Sequence, residues 1–529
     1  MGFYLDSDSA YALYKSEVQK PYFVDKTSLL EELCPLAEQG KNYICITRPR
    51  RFGKTVMANM IGAFFCMGAD SADIFDNLDI SRTNEYKMHR NRHHVVYMDF
   101  SRTDGEIDTY DAYIDSVKRK LKMDLREAYP EVPFQDRESA ADDFERVRLK
   151  TGDKFLFVLD EWDAVFHMSF VTEENQKSYL LFLKDLLKDR AYVSLAYMTG
   201  ILPISKYSGG SELNMFAEYN MATMERYSSY FGFTEKEVDM LYGRYLENCR
   251  NPKVTREGLR LWYDGYCTAS GEKIYNPRSV VFALLNNQLY NYWTTSGPYD
   301  EIFYYIQNNI ADVKEDLALM VSGEAVPAEV HEYAATSMDL RTRDEIFSAM
   351  VVYGLLTYED GMVSIPNKEL MDNFGVLLKK EEALGYMHRL AKASGRMMRA
   401  TKCGDVKTMA EILSYAHDTE TPILNYNNEV ELSAIVNLVY LSARDQYRVV
   451  REDKAGIGYV DFIFYPNNPS DDGIILELKV DYTPEAAIKQ IKERKYLLRF
   501  QGKLGEPSYY TGRILAVGIG YDKGTKTHA

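Results

Sequence analysis

Short apolar runs alternating with helical stretches organise the first two hundred positions. The runs Tyr43–Thr47, Val95–Phe100, Phe155–Leu159 and Tyr192–Met198 are rich in Val, Ile, Leu, Phe or Tyr, as strands covered on both faces should be. Their alternation with helical patterns predicts a parallel sheet with crossover helices. From about Thr234 to Asn309 the pattern becomes helical and polar, broken by the turn-like YDGYCTASGEKIYNP. Between Ala311 and Leu378 helices lead into GLLTYEDGMVSIPN, and short strands around Glu359-Asp360-Gly361 predict a winged-helix-like segment. An amphipathic stretch, Glu381 to His417, precedes the last unit. That unit opens with the helix NNEVELSAIVNLVYLSAR, and strands follow at Tyr447–Glu452, Tyr459–Tyr465 and Ile474–Val480. A helix from Pro484 to about Leu498, with Pro at its first turn, and a strand Arg513–Tyr521 complete it.

The predicted divisions are 1–225, 226–310 (a helical lid), 311–380 (winged-helix-like), 381–420 (a connector) and 421–529. A chain of 529 residues exceeds what one hydrophobic core serves, so several domains are expected. A hydrophobic share of 46% and a charged share of 27% are those of a folded globular protein. The net charge of −16 argues against a general nucleic-acid coat, because non-specific binding is driven by phosphate neutralisation. It leaves room for a local basic groove or a metal-assisted phosphate site. The six cysteines are scattered with no CxxC pair, which predicts reduced structural thiols and no zinc site. His89, His93 and His94 read as a solvated loop. No signal peptide or membrane-length apolar run is found, so a cytoplasmic protein without a membrane partner is expected.

Candidate chemistry begins at Tyr43–Thr47, followed by Arg48-Pro-Arg-Arg-Phe-Gly53-Lys54-Thr55 and the apolar helix VMANMIGAFF. A strand, a tight loop and a helix start bring backbone N–H groups and the positive helix end together, which suits a phosphate chain. Gly53 would permit close backbone approach, Lys54 would reach the β/γ phosphates and Thr55 would ligate Mg²⁺. Arg48 stands where GxxxxGK[ST] has its first glycine. Further along, Lys154–Leu159 ends in Asp160-Glu161-Trp162-Asp163. Paired acids at the end of a buried strand are costly without a cation. A Walker B role answers that, with Asp160 in the Mg²⁺ shell and Glu161 polarising the attacking water; a strand end with solvated carboxylates is the bland reading. Thr199, ending the next strand, could sense the γ-phosphate.

The N-terminal half resembles the AAA-ATPase-like proteins that head many bacterial nuclease-like chains. The likeness rests on Tyr22-Phe-Val-Asp25-Lys26-Thr27, Thr47–Thr55, Asp160–Asp163, Met198–Gly200, Trp262–Tyr266 and Tyr275–Pro277, over roughly residues 10 to 310. In that family the Arg-Pro-Arg-Arg-Phe-Gly-Lys run replaces the glycine-led loop. The resemblance implies ATP binding with Arg48, Arg51, Gly53, Lys54, Thr55, Asp160 and Thr199 as nucleotide contacts, and further implies hydrolysis. Asp25 and Lys26 either shape the nucleotide pocket or cap a helix.

A second constellation is Asp461 with Glu477-Leu478-Lys479, with Glu429 on a preceding helix and Gln490 on a following one. Glu477 and Lys479, two apart on a strand, project from one face. If the strands pair, Asp461 and Glu477 can share a divalent ion, and Lys479 can stabilise hydroxide beside it. A cross-strand salt bridge of Lys479 with an acid is the bland alternative. Glu477 interrupts the apolar run Ile474–Val480, and such a burial of charge needs a reason. The order resembles the PD-(D/E)xK nuclease superfamily in Tyr426–Glu429, Gly456–Asp461, Ile475–Lys479 and Ala487–Gln490 with Tyr496, over about residues 421 to 521. That resemblance implies Asp461 and Glu477 as metal ligands, Lys479 as catalytic, and Glu429 (with Glu431 as its rival) and Gln490 as supporting.

The fold class expected is therefore α/β: a P-loop NTPase (ASCE/AAA-like) parallel-sheet domain, a helical and winged-helix-like middle, and a PD-(D/E)xK restriction-endonuclease-like α/β domain. The function expected is ATP binding and hydrolysis coupled to Mg²⁺- or Mn²⁺-dependent cleavage of nucleic acid, DNA first. The alternative is a nucleotide-switched binding module whose last domain does not cut.

Overall fold

The structure is a computed structural model. It describes the chain except residues 1, 41, 104, 106, 205–211, 294–309, 331–339, 341, 381–385, 416–428, 456–457, 501–509 and 526, and except the side chains of 310–312, 314–315, 386–387, 429–431, 452–455, 458–459 and 498–499. Two compact units result, one of residues 1–296 with 328–367, the other of 297–327 with 368–529.

The first unit is built on five parallel strands in the order β2-β3-β4-β1-β5. These are β1 (Asn42–Thr47), β2 (His94–Asp99), β3 (Phe155–Asp160), β4 (Val193–Gly200) and β5 (Ala217–Tyr219). Strands β3 and β4 are buried at every position, which is why their sequences are unbroken apolar runs rather than alternating ones. The central position of β1 and β4 aims both their carboxyl ends at one crevice, where ligands of open α/β sheets bind. Helix Lys54–Phe65 follows β1 and is buried along most of its length. Helices elsewhere start where the side chains ask for it: Ser139 with Asp142, Thr172 with Asn175, and Thr234 with Glu237 each form reciprocal caps, satisfying otherwise orphaned amides.

Helices Glu235–Asn248, Arg256–Tyr263 and Pro277–Asn286 share a core with Tyr22, Val24 and Phe233. The expected turn at 263–277 is a short hairpin, Tyr266–Cys267 against Lys273–Ile274, ending in Asn276 as cap and Pro277 as first helical residue. The hairpin around Glu359-Asp360-Gly361 is present too: Met362 pairs with Glu359, and Asp360 and Gly361 both take positive φ, the backbone a two-residue hairpin loop requires. Helix Arg343–Val352 precedes it within this unit.

His89, His93 and His94 depart from the solvated loop expected of them. His89 is 3% exposed and its ring stacks on that of His93, while His94 bonds the Asp6 carboxylate at 2.7 Å. His89 ends the helix Asn84–His89 and, like His93, packs edge-on against Phe65, while His94 opens β2.

The second unit places helices Lys368–Lys380, Tyr386–Cys403, Val406–Ser414 and Glu429–Val439 beside a mixed sheet. Its strands run in chain order: β6 (Tyr447–Ala455), β7 (Gly458–Pro466), β8 (Gly473–Val480), β9 (Ile514–Asp522) and β10 (Thr527–His528). All neighbours are antiparallel except β8 and β9, which are parallel and joined through helix Pro484–Glu493. That helix stops five residues before the expected Leu498, because Lys495 takes a positive φ of 55° and a 3-10 turn, Tyr496–Phe500, follows. Tyr496 and Phe500 are thereby delivered to the core with Ile463, Ile475 and Ile491. All six cysteines are free thiols, and no helix among the described residues is long and apolar enough to cross a membrane.

Candidate functional site

A cavity of about 570 Å³ opens at the start of helix Lys54–Phe65. Its floor is the loop Arg50–Thr55, Glu161 stands on one side, and Tyr22–Val24, Tyr230, Phe233, Val281 and Phe282 supply an apolar wall. A few polar groups at one end of an aromatic-walled cleft of this size fit a nucleotide-sized ligand. Gly53, at φ +87°, caps the helix, and a side chain there would meet nothing within 4 Å. The open space lies where a phosphate would meet the helix N-terminus.

Lys54 is 4% exposed, and its Nζ donates to the Arg48 and Pro49 carbonyls at 3.0 Å each. Burial pulls its pKa down, while Glu161, Asp163 and Asp160 hold it up. Asp160 is wholly buried at the end of β3. Its Oδ1 accepts from the Thr199 hydroxyl, and its Oδ2 has no partner. Burial first, then Glu161 and Asp99, push this carboxyl up to about 6. An orphaned carboxylate oxygen beside a hydroxyl is a hard-oxygen donor set that suits Mg²⁺. Glu161 follows with a positive φ of 52°, a strained conformation of the sort found where a side chain must be aimed.

Not every residue singled out from the sequence lines this cavity. Arg48 is 1% exposed and turned away from it: Nη1 donates to the Thr47 and Tyr219 carbonyls at 2.8 and 2.7 Å, and the guanidinium lies over Phe231. It straps β1 to β5, and burial pulls its pKa down to about 10. Thr199 is spent on Asp160 rather than reaching into the open space. Arg51 does line the cavity, donating to the Tyr292 carbonyl at 3.0 Å and lying over Trp293. Asp25 caps the loop, accepting from Thr27 and from the Asp79 amide, whereas Lys26 lines the cavity, donates to the Ser229 carbonyl and pairs with Glu237.

Sequence reasoning missed Arg50, Tyr230, Arg278 and Phe282, all lining the same space. The local signals were the Arg-Pro-Arg-Arg run for Arg50 and the cap-and-proline start of the 277–286 helix for Arg278 and Phe282. Asp163 was also missed as a positioning group: its Oδ2 accepts from the Ile201 and Leu202 amides at 2.8 and 2.7 Å.

In the second unit, β7 and β8 pair with Phe462 opposite Leu476; Asp461 and Glu477 are the next residues along each strand, and the Asp461 charge acts on Glu477. Asp461 Oδ2 accepts from the Leu478 amide at 2.6 Å. Glu477, 2% exposed, accepts at Oε1 from Lys479 Nζ at 3.3 Å and from Gln490 Nε2, and its Oε2 has no partner. Burial, then the Asp461 charge, push Glu477 up to about 7, with Lys479 opposing. Gln490 also reaches the Tyr496 hydroxyl at 3.4 Å. Helix Pro484–Glu493 thus carries Gln490 to the acids. Helix Glu429–Val439 packs on β8, but the side chains of Glu429 and Glu431 lie outside the described residues. Two acids and an orphaned oxygen suit one hard divalent cation; among the described residues no group of three or more His, Cys, Asp or Glu converges on one point.

Residues 15–208 match the family model described as AAA-ATPase-like, predicted AAA-ATPase. No curated protein matches the chain. Solved structures with related shapes include the Walker-type ATPase of Pyrococcus abyssi (9% identity, TM-score 0.35, covering 65% of this chain and 95% of that one). The ORC2 protein of Aeropyrum pernix, solved in ADPNP–ADP complexes, matches at 11% identity and TM-score 0.32, covering 66% of this chain and 92% of its own. Cdc6p of Pyrobaculum aerophilum matches at 13% and 0.27, covering 71% and 98%.

Proposed function

We propose that this chain, whose residues 15–208 form a P-loop NTPase-like domain of predicted AAA-ATPase type, binds and hydrolyses ATP and couples that cycle to divalent-metal-dependent cleavage of nucleic acid, DNA in the first instance. At the first centre the loop amides from Arg51 to Thr55 and Lys54 hold the triphosphate, and the aromatic wall holds the base. Thr55 and Asp160 hold Mg²⁺, which supplies charge neutralisation between the phosphates. Glu161 orients and polarises the attacking water. Thr199 acts through Asp160, keeping that carboxylate turned to the ion.

At the second centre Asp461 and Glu477 hold a divalent cation, which supplies a Lewis acid at the scissile phosphate. Lys479 lends positive charge to the developing anion, and Gln490 fixes the Glu477 rotamer. The observation that carries this half is the orphaned Oε2 of Glu477, buried beside Asp461 and Lys479. A salt bridge alone does not account for it, since Lys479 sits on Oε1 only. The alternative, a module that binds without cutting, draws support from the net charge of −16.

One paired measurement separates these readings: ATP turnover and DNA cleavage, with Mg²⁺ or Mn²⁺, for the wild type, Lys54→Ala and Asp461→Ala. Lys54→Ala should lose ATP turnover, and Asp461→Ala should lose cleavage while keeping turnover. A wild type that leaves every DNA and RNA substrate uncut, with and without ATP, refutes the nuclease half.

A further inference from the structure

The connector helix Tyr386–Cys403 carries five Lys or Arg and no Asp or Glu, in a chain whose net charge is −16. Local charge so opposed to the global balance is informative about a partner. At about 100° per residue, Arg389, Lys392, Arg396 and Arg399 fall within an arc of about 80° on the helix surface. All four are exposed, while Leu390, Met397 and Thr401 on the other side are buried. The cations are thus a solvent-facing stripe held rigid from behind.

Among the described residues the stripe meets few acids, Asp405 feeling the charge of Arg396. Arg396 meets Glu411 at 3.4 Å with both side chains more than half exposed, a pair worth little. Arg389 lies over the ring of exposed Tyr415. Lys392 and Arg399 have no carboxylate partner among the described residues. Lys402, off the arc, donates to Gln446 Oε1.

We infer that this stripe is a docking surface for a nucleic-acid backbone, and so names the partner of the same unit that holds Asp461 and Glu477; it rests on the nucleic-acid half of the proposed function. Ten residues of helix at ~1.5 Å each span about 15 Å, and one strand of a duplex presents a phosphate about every 3.4 Å along its axis. Four cations therefore match about four successive phosphates. Three are arginines, whose planar forks bind phosphate in bidentate fashion. Helix Tyr386–Cys403 packs on helix Glu429–Val439, which packs on β8, so the surface is one helix removed from the strand bearing Glu477 and Lys479. The contacts carry no base reading, and affinity from this stripe is sequence-independent.

The test is binding of a fluorescent 30-base-pair duplex to the full chain in EDTA, where no cutting occurs, at several salt concentrations. The comparison is wild type against R389Q/K392Q/R396Q/R399Q, with the charge-keeping R389K/R396K/R399K as control. Removing four phosphate contacts should flatten the slope of log K against log salt by about 3 to 4, at roughly 0.9 per contact, and weaken binding at least about tenfold at moderate salt. The lysine control should keep the wild-type slope. Equal slopes and affinities for wild type and the glutamine variant overturn the inference, as does a wild type that binds no duplex. Polyglutamate competing as well as DNA of equal charge overturns it in favour of an acidic protein partner. Stripe-dependent binding without cleavage in Mg²⁺ or Mn²⁺ keeps this surface and refutes the cleavage reading instead. Unchanged cleavage efficiency in the glutamine variant does the reverse.

Discussion

Replacing Asp163 by alanine should cost the first unit far more than an acid near a strand end would suggest. The carboxylate is 1% exposed, and one oxygen accepts from two consecutive amides, those of Ile201 and Leu202, just past β4. Gly200 lies against it, since a side chain there would come within 2.8 Å of Asp163 Oδ1 and closer still to Trp162. Hydrogen bonds to a charged group contribute about 1.5–3 kcal/mol each, so two amides left buried and unpaired imply a loss of about 3–6 kcal/mol. Set against a domain stability of ~5–15 kcal/mol, that is a large fraction. Asp163→Asn keeps an acceptor oxygen and loses only charge assistance, about 2–3 kcal/mol. Urea unfolding followed by tryptophan fluorescence reads this cleanly, because Trp162, Trp262 and Trp293 all lie in the first unit. The two variants should lower the urea midpoint in the order Ala, then Asn, without changing the slope. ATP at a hundredfold its Kd should restore about 2.7 kcal/mol to each. A midpoint for Asp163→Ala within about 1 kcal/mol of wild type refutes the reasoning. So does a stabilised Asp163→Asn, which would mean that desolvation of the carboxylate outweighs its two bonds.

Other expectations follow from the same geometry. Glu161→Gln should bind ATP within about threefold of wild type yet turn it over at least ~100-fold more slowly, the usual contribution of a positioned base; equal turnover refutes its role. Arg48→Met should lower the stability of the first unit by about 1–3 kcal/mol, because the buried Thr47 and half-buried Tyr219 carbonyls lose their donor, while weakening ATP affinity less than Lys54→Ala does in a calorimetric titration. His93 is held down to about 4 from its ordinary 6.5 by burial first, then by His89. Between those values the unfolded chain binds more protons, so the stability this neutral ring contributes is intact above pH 6.5. It is lost as pH falls through about 4, by about 3 kcal/mol in full. His93→Gln should flatten the urea midpoint between pH 7 and 4.5, and an unchanged acid sensitivity counts against this assignment.

Much of the architecture was legible because it is written in short range. An apolar run with acids at its end, Leu156–Glu161, needs only its own composition to be read as a buried strand leading to a site. Likewise Glu477 and Lys479 share a face through the two-residue period of a strand, whatever surrounds them. The hairpin at Asp360-Gly361 follows from which residues tolerate positive φ.

What the sequence left undecided were directions and partners set by distant chain. Arg48 sits in the phosphate-loop run, yet its guanidinium goes to β5, because the Thr47 and Tyr219 carbonyls and the Phe231 ring lie there once the sheet is assembled. Thr199 faces Asp160 instead of open space only because β3 and β4 are neighbours. The aromatic wall joins Tyr22, Tyr230 and Phe282 from three separated stretches, and His89, at the end of helix Asn84–His89, is packed against Phe65 from the end of helix Lys54–Phe65. Local periodicity determines which residues form an element and which face they share. Which group meets which across the fold is decided by packing among elements far apart in the chain, and no local pattern encodes that.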